Sequence, residues 1–139
     1  MKQMSRLALT VCMLVLSGCA SSTDLVQVSG SVTVNEKPAA GATVLFHPED
    51  PAAVTASGSV AEDGTFTLVS AMQNGIAPGK YKVTVTWPDA SKQPTKEQIM
   101  MGTAEPGPDL LKGKYASRDR TSLTAEITPS TTTLNPFEL

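Results

Sequence analysis

The chain has little cysteine and histidine, the residues that most often carry metal and redox chemistry. Its 139 residues include two cysteines and a single histidine, His47. Both cysteines, Cys12 and Cys19, lie near the start of the chain. A closed zinc site needs about four ligands, and a serine-type triad needs an imidazole held beside an acid. We therefore expect no metal site, no cofactor and no catalytic residues.

Aromatic residues and clusters of basic residues are also scarce. Aromatic side chains make up 4% of the chain, and 13 acidic residues outnumber 11 lysines and arginines, which are scattered along the sequence. A nucleic-acid-binding surface usually groups its basic residues on one face, often with aromatic side chains that stack on bases. We therefore expect no nucleic-acid partner.

The first apolar run, residues 7–16, is too short to span a membrane, because a spanning helix needs ~20 residues. Lys2 and Arg6 precede this run and small residues follow it, an order typical of a secretory signal. The pattern predicts a signal peptide at residues 1–18. Its removal takes away Lys2 and Arg6 and leaves 9 basic and 13 acidic residues, so the net formal charge of the remaining chain is near −4.

Four residues at the end of this leader, Leu16-Ser17-Gly18-Cys19, resemble the lipobox of bacterial lipoproteins. The resemblance implies cleavage between Gly18 and Cys19 and attachment of lipid, with acyl chains such as palmitate, to Cys19. Residues 19–24 would then form a lipidated polar tether. Each buried methylene contributes ~0.8 kcal/mol, so two or more acyl chains make a durable membrane anchor.

The alternative to lipidation is ordinary cleavage near Gly18 or Ala20, which would release a soluble protein and leave Cys19 without a partner. The resemblance to lipoproteins implies a protein anchored in the cell envelope, facing the periplasm or the exterior. Ala20, rather than an aspartate, follows Cys19. In envelopes with two membranes this resembles the default sorting to the outer membrane rather than the inner one.

Alternating apolar and polar residues dominate the chain after the tether. Residues 26–34, 42–46 and 81–87 each alternate with a period of two, which is typical of strands with one buried face. The first two runs are expected to form a hairpin or to lie as adjacent strands. Asp63-Gly64 indicates a tight type I′ hairpin turn, because both residue types tolerate positive φ.

Weaker runs with the same alternation bring the predicted number of strands to about seven. Short strands, frequent turn signals and the absence of a long helical pattern favour an antiparallel Greek-key β-sandwich over residues 25–139. A small barrel is the alternative. The expected domain is therefore all-β and is stabilised by packing alone.

Residues 88–121 interrupt the strand pattern before the last two strands. This insertion contains four prolines and shows neither helical nor strand periodicity. Loops longer than ~15 residues are usually functional or disordered. One or two helical turns are expected near residues 95–101, with Thr95 as the N-cap. Met100 and Met101 would form either an adaptable contact surface or a local core.

Four strand and turn segments carry a resemblance to a known family: Gly30-Ser31-Val32-Thr33-Val34, Lys37-Pro38-Ala39-Ala40-Gly41-Ala42-Thr43-Val44, Glu62-Asp63-Gly64-Thr65-Phe66 and Pro78-Gly79-Lys80-Tyr81-Lys82-Val83-Thr84-Val85. They resemble the carboxypeptidase regulatory-like domain, a transthyretin-like (prealbumin-type) sandwich related to Cna B-type modules of bacterial surface proteins. The resemblance implies a Greek-key sandwich that serves as a spacer, adhesive element or interaction module without catalytic residues of its own.

Two other functions compete with this interpretation. Trp87 and Tyr81 could form a sugar-stacking platform, although their shared parity with Val83 and Val85 favours core packing. The transthyretin-like fold also includes hydroxyisourate hydrolases, which use several histidines, an arginine and a C-terminal Tyr-Arg-Gly-Ser motif. This chain has one histidine and ends in Pro136-Phe137-Glu138-Leu139, so a hydrolase is the remote alternative.

Acidic pairs at residues 49–50 and 62–63 could suggest calcium, but a calcium site needs six or more oxygen ligands. The sequence therefore predicts a non-catalytic, lipid-anchored envelope module whose partner, besides the membrane, is an envelope protein or a glycan.

Overall fold

The computed structural model describes residues Asp24–Leu139. The predicted signal peptide, the lipidation site at Cys19 and most of the tether therefore lie outside the described residues. The described part is an all-β sandwich with ten strands, of which four are only two residues long. Three of these short strands account for the difference from the predicted number of about seven, because the fourth, Phe137–Glu138, is the predicted C-terminal strand.

The first sheet is built around β1 (Ser29–Val34), which buries Gly30 and Val32 on alternate positions. β5 (Thr65–Thr67) pairs antiparallel with the first half of β1, and β2 (Lys37–Pro38) pairs antiparallel with its second half. The final strand, β10 (Phe137–Glu138), runs parallel to β1. The C-terminus therefore closes the sheet beside the first strand.

The second sheet is antiparallel, and its members are β3 (Thr43–Pro48), β4 (Ala56–Ser59), β6 (Val69–Ser70), β7 (Gln73–Asn74), β8 (Gly79–Thr86) and β9 (Thr124–Ile127). These strands follow the order β7-β6-β4-β3-β8-β9. The central strands are β3 and β8, in which Val44 lies opposite Val85, and Phe46 lies opposite Val83.

The core lies between the two sheets and is filled mainly by valine and aromatic side chains. The ring centroid of Phe46 lies 6.2 Å from those of Phe66, Tyr81 and Phe137. Aromatic rings at this separation attract one another beyond the area they bury. Gly30 makes room for this cluster, because a Cβ atom there would lie 2.5 Å from the Phe66 ring.

The expected pairing of the first two alternating runs is wrong. Asn35 and Glu36 form a tight turn, with φ angles of 50° and 64°, and return the chain along β1 as β2. The hairpin partner of β1 is therefore β2 and not the second alternating run. The second run becomes β3 in the opposite sheet.

The predicted type I′ hairpin turn at Asp63-Gly64 is also wrong. Gly64 has a φ of 85°, but Asp63 is not among the residues with positive φ. The Asp63 carboxylate accepts hydrogen bonds from the Thr65 hydroxyl at 2.6 Å and from the Thr65 amide at 3.0 Å. These bonds lower the pKa of Asp63. The turn carries the chain from β4 in one sheet to β5 in the other.

Candidate functional site

The 88–121 insertion begins directly after Trp87, the residue that follows β8, and is held by hydrogen bonds at its base. Asp109 holds its base: the carboxylate accepts hydrogen bonds from the amides of Trp87 at 2.9 Å, Leu111 at 3.0 Å and Gly113 at 2.9 Å. The Leu110 amide donates to the Trp87 carbonyl at 2.8 Å. One acidic side chain thus fixes both the exit from β8 and the return of the chain.

The second half of the insertion lies along the edge of β8. The Val85 amide donates to the Tyr115 carbonyl at 3.0 Å, and the Val83 amide donates to the Leu123 carbonyl at 2.9 Å. The Thr121 hydroxyl donates to the Val83 carbonyl at 2.6 Å. Tyr115 itself is buried. These contacts satisfy the backbone of β8 beyond the end of β9 and make the returning segment part of the fold.

Between these fixed ends, residues 89–108 form a projection that we call the arm. A 3-10 helix (Ala90–Lys92) opens it, and the Asp89 carboxylate accepts from the amide of Ser91 at 2.9 Å. The arm is narrow at its base, because the Asp89 amide donates to the Pro108 carbonyl at 3.0 Å. A Cβ atom on Gly107 would lie 2.5 Å from the Asp89 carbonyl oxygen.

The arm carries the single α-helix of the described residues, α1 (Lys96–Met100). Thr95 and Gln98 form a capping box at its start: the Thr95 hydroxyl accepts from the Gln98 amide, and the Gln98 side chain accepts from the Thr95 amide. The expected helical turn and its Thr95 cap are therefore confirmed.

The helix also has a complete C-terminal cap. The Gly102 amide donates to the Ile99 carbonyl at 3.2 Å, and the Thr103 amide donates to the Gln98 carbonyl at 3.0 Å. With Gly102 at a φ of 68°, this is the Schellman arrangement. A helix of five residues is rarely stable alone. Caps at both ends compensate for its short length and fix its shape.

The helix exposes apolar side chains instead of burying them. No residue of α1 is buried, and the exposed fractions are 59% for Ile99, 87% for Met100 and 77% for Met101. We call these residues the apolar tip. Their exposure excludes the local-core interpretation of the two methionines and leaves the contact-surface interpretation.

His47 lies apart from the arm, on β3. Its Nε2 atom is 3.1 Å from the Thr84 hydroxyl, and Arg118 donates a hydrogen bond to the neighbouring Pro48 carbonyl. Burial, followed by the charge of Arg118, lowers the pKa of His47. In the described residues the imidazole has a hydroxyl partner and not the carboxylate partner of a triad.

Tyr81 and Trp87 have different environments despite their shared parity. Tyr81 is 1% exposed and donates a hydrogen bond from its hydroxyl to the Ala77 carbonyl at 2.7 Å. Trp87 is half-buried beside the core, and its Nε1 atom donates to the Ala40 carbonyl at 2.9 Å. Tyr81 therefore belongs to the core, and the stacking hypothesis rests on Trp87 alone.

Sequence reasoning missed Asp109, which organises the base of the arm. The available signal was an aspartate between Pro108 and two leucines, because an aspartate carboxylate often accepts hydrogen bonds from the amides two residues further along the chain.

Over residues 24–139 the structure contains no group of three or more histidine, cysteine, aspartate or glutamate side chains placed to hold a metal ion. No helix in this part is long and apolar enough to cross a membrane.

The fold and the site together define an all-β sandwich with a capped, apolar-tipped arm. Comparison of the chain with protein-family models, with curated proteins and with solved structures found no match. The resemblances stated for the lipobox and for the carboxypeptidase regulatory-like domain therefore stay predictions.

Proposed function

We propose that this protein is a non-catalytic, lipid-anchored module of the bacterial cell envelope that binds another envelope protein through its arm. The lipobox-like segment supports the anchor, and the strand and turn segments support a carboxypeptidase regulatory-like domain. The observation that carries the binding role is the apolar tip, which is exposed on a helix whose two ends are both capped.

The arm has the properties of a preorganised contact surface. Its hydrogen bonds hold the helix before any partner binds, so little conformational entropy is lost on association. Burying one apolar side chain of this size contributes ~1.5–3 kcal/mol. Methionine side chains adapt their shape to an irregular apolar cleft. A partner with such a cleft would gain most of its binding free energy from the tip.

The test replaces Ile99, Met100 and Met101 together by glutamine, which preserves helix propensity and removes apolar surface. The control variant carries Lys96→Gln and Glu97→Gln on the same helix. Chemical crosslinking in intact cells is followed by quantification of the crosslinked protein species. We expect the triple variant to lose more than ~90% of that species, since each 1.4 kcal/mol is a factor of ten in affinity.

The control variant should retain the crosslinked species, and both variants should show the same thermal unfolding midpoint as the wild type. An equal yield from the triple variant and the control would refute the role of the tip. Turnover of a substrate by the purified domain would refute the non-catalytic assignment.

A further inference from the structure

The first described residues enter the sandwich at the end where β8 begins. Val26 and Ile76 exchange two backbone hydrogen bonds of 2.9 Å each, a few residues before β8 starts at Gly79. Asp24 and Leu25 line a depression together with Pro78. The tether therefore joins the domain at this end, which we call the tether end.

The arm leaves from the opposite end of the same strand. β8 has eight residues, and its last residue, Thr86, is followed by Trp87 at the base of the arm. At ~3.4 Å per residue, the strand separates the tether end from the base of the arm by ~24 Å. The two ends of the sandwich therefore face in opposite directions along β8.

The tether end carries exposed apolar side chains of its own. Met72 is 99% exposed at the tip of the tight turn between β6 and β7, where Ala71 and Met72 have φ angles of 46° and 68°. Val54 is 55% exposed and lines a groove with Leu25 and Ala71. An apolar side chain held at the tip of a tight turn can enter a bilayer interface without rearrangement of the backbone.

The length of chain before Asp24 limits what can cover this end. Cys19 precedes Asp24 by five residues, and an extended chain spans at most ~3.5 Å per residue, so the two residues lie within ~18 Å of each other. This distance is shorter than β8. When Cys19 is held in a membrane, the tether end therefore lies within ~18 Å of that membrane, whereas the base of the arm lies ~24 Å from the tether end.

We infer that the tether end, through Met72 and Val54, rests on the anchoring lipid bilayer, and that the arm therefore points away from it. This inference rests on the proposed lipid anchor at Cys19. Asp24 and Asp50 lie beside the contact surface, so an anionic bilayer would repel it. The contact is apolar and favours zwitterionic lipid.

The test couples the mature chain, residues 19–139, through the Cys19 thiol to a maleimide lipid in phosphatidylcholine vesicles that contain brominated acyl chains. Cys12 is absent from this chain, so the coupling is specific. In a Trp87→Phe background, Met72→Trp and Met100→Trp each provide one fluorescent reporter at opposite ends. These two positions form a matched pair, because both are methionines and both are highly exposed.

We expect the reporter at position 72 to lose fluorescence and shift to shorter wavelength, whereas the reporter at position 100 keeps its fluorescence. Trp87 in the otherwise unaltered protein should also stay unquenched, which checks the result without any substitution. Adding phosphatidylglycerol should reduce the quenching at position 72.

Quenching at position 100 equal to that at position 72, or no quenching at either, would overturn the inference. A wavelength shift at position 72 that grows with protein density and occurs without quenching would show that a second copy covers this end, which also overturns it. The coupling replaces natural lipidation, so failure here is distinct from failure of the proposed anchor, which mass analysis of the native protein tests.

Discussion

Tyr81 and Trp87 show how the end of a strand changes the environment of a residue. Alternation places both side chains on the buried face of β8, and Tyr81 fills the core as the parity predicts. Burial raises the pKa of the Tyr81 hydroxyl, and Asp50 adds a smaller effect. Trp87 lies one residue beyond the strand, where its side chain is only partly buried and the indole Nε1 donates to the Ala40 carbonyl.

His47 gives the fold a predictable dependence on pH. Because its pKa is lowered in the folded state, the unfolded chain binds the proton more readily over the range below the usual value of ~6.5. The free energy of unfolding should therefore fall as the pH decreases from neutral through this range. Urea unfolding at a series of pH values from neutral to mildly acidic would measure the slope.

His47→Gln is the matched variant for this experiment, since glutamine keeps a hydrogen-bonding group near Thr84 and does not titrate. We expect the slope to be smaller in the variant. An identical slope in both proteins would mean that other groups cause the pH dependence.

The arm is the element whose structure was least predictable from the sequence. The helix near residues 95–101 and its Thr95 cap were predictable, because a capping residue followed three positions later by glutamine has a local physical meaning. The base of the arm was not predictable from the sequence. Asp109 bonds to Trp87 across 22 positions of the chain, and no local pattern encodes that distance.

Asp109→Ala should detach the base of the arm. The substitution leaves three partly buried amides, of Trp87, Leu111 and Gly113, without their acceptor. Since a hydrogen bond to a charged group contributes ~1.5–3 kcal/mol and water replaces part of the loss, we expect a destabilisation of about 2–4 kcal/mol in urea unfolding.

Asp119→Ala is the control for this prediction, because Asp119 is an exposed acid in the same insertion. Exposed substitutions of this kind usually change stability by less than about 0.5 kcal/mol. Equal stability of the two variants would show that Asp109 does not hold the arm.

For the whole molecule, alternation predicted the fold class and most of the buried positions. Val32, Val44, Phe46, Val83 and Val85 all lie in the core. The sequence did not correctly predict which strands lie in the same sheet. A period of two specifies which face is buried, but it does not specify the neighbouring strand, and the short β2 took the place expected for β3.

The sequence also did not predict which segments lie at each end of the sandwich. That arrangement depends on Val26 pairing with Ile76 and on Asp109 pairing with Trp87, both of which are non-local contacts. Together they place the first described residues and the arm at opposite ends of β8.

The most direct test of the account is the intact mass of the protein in the membrane fraction, compared between wild type and Cys19→Ala. We predict a wild-type mass that begins at Cys19 and includes acyl chains, and its loss in the variant. An unlipidated, secreted mass from both proteins would contradict the lipid anchor and would make this a soluble binding domain.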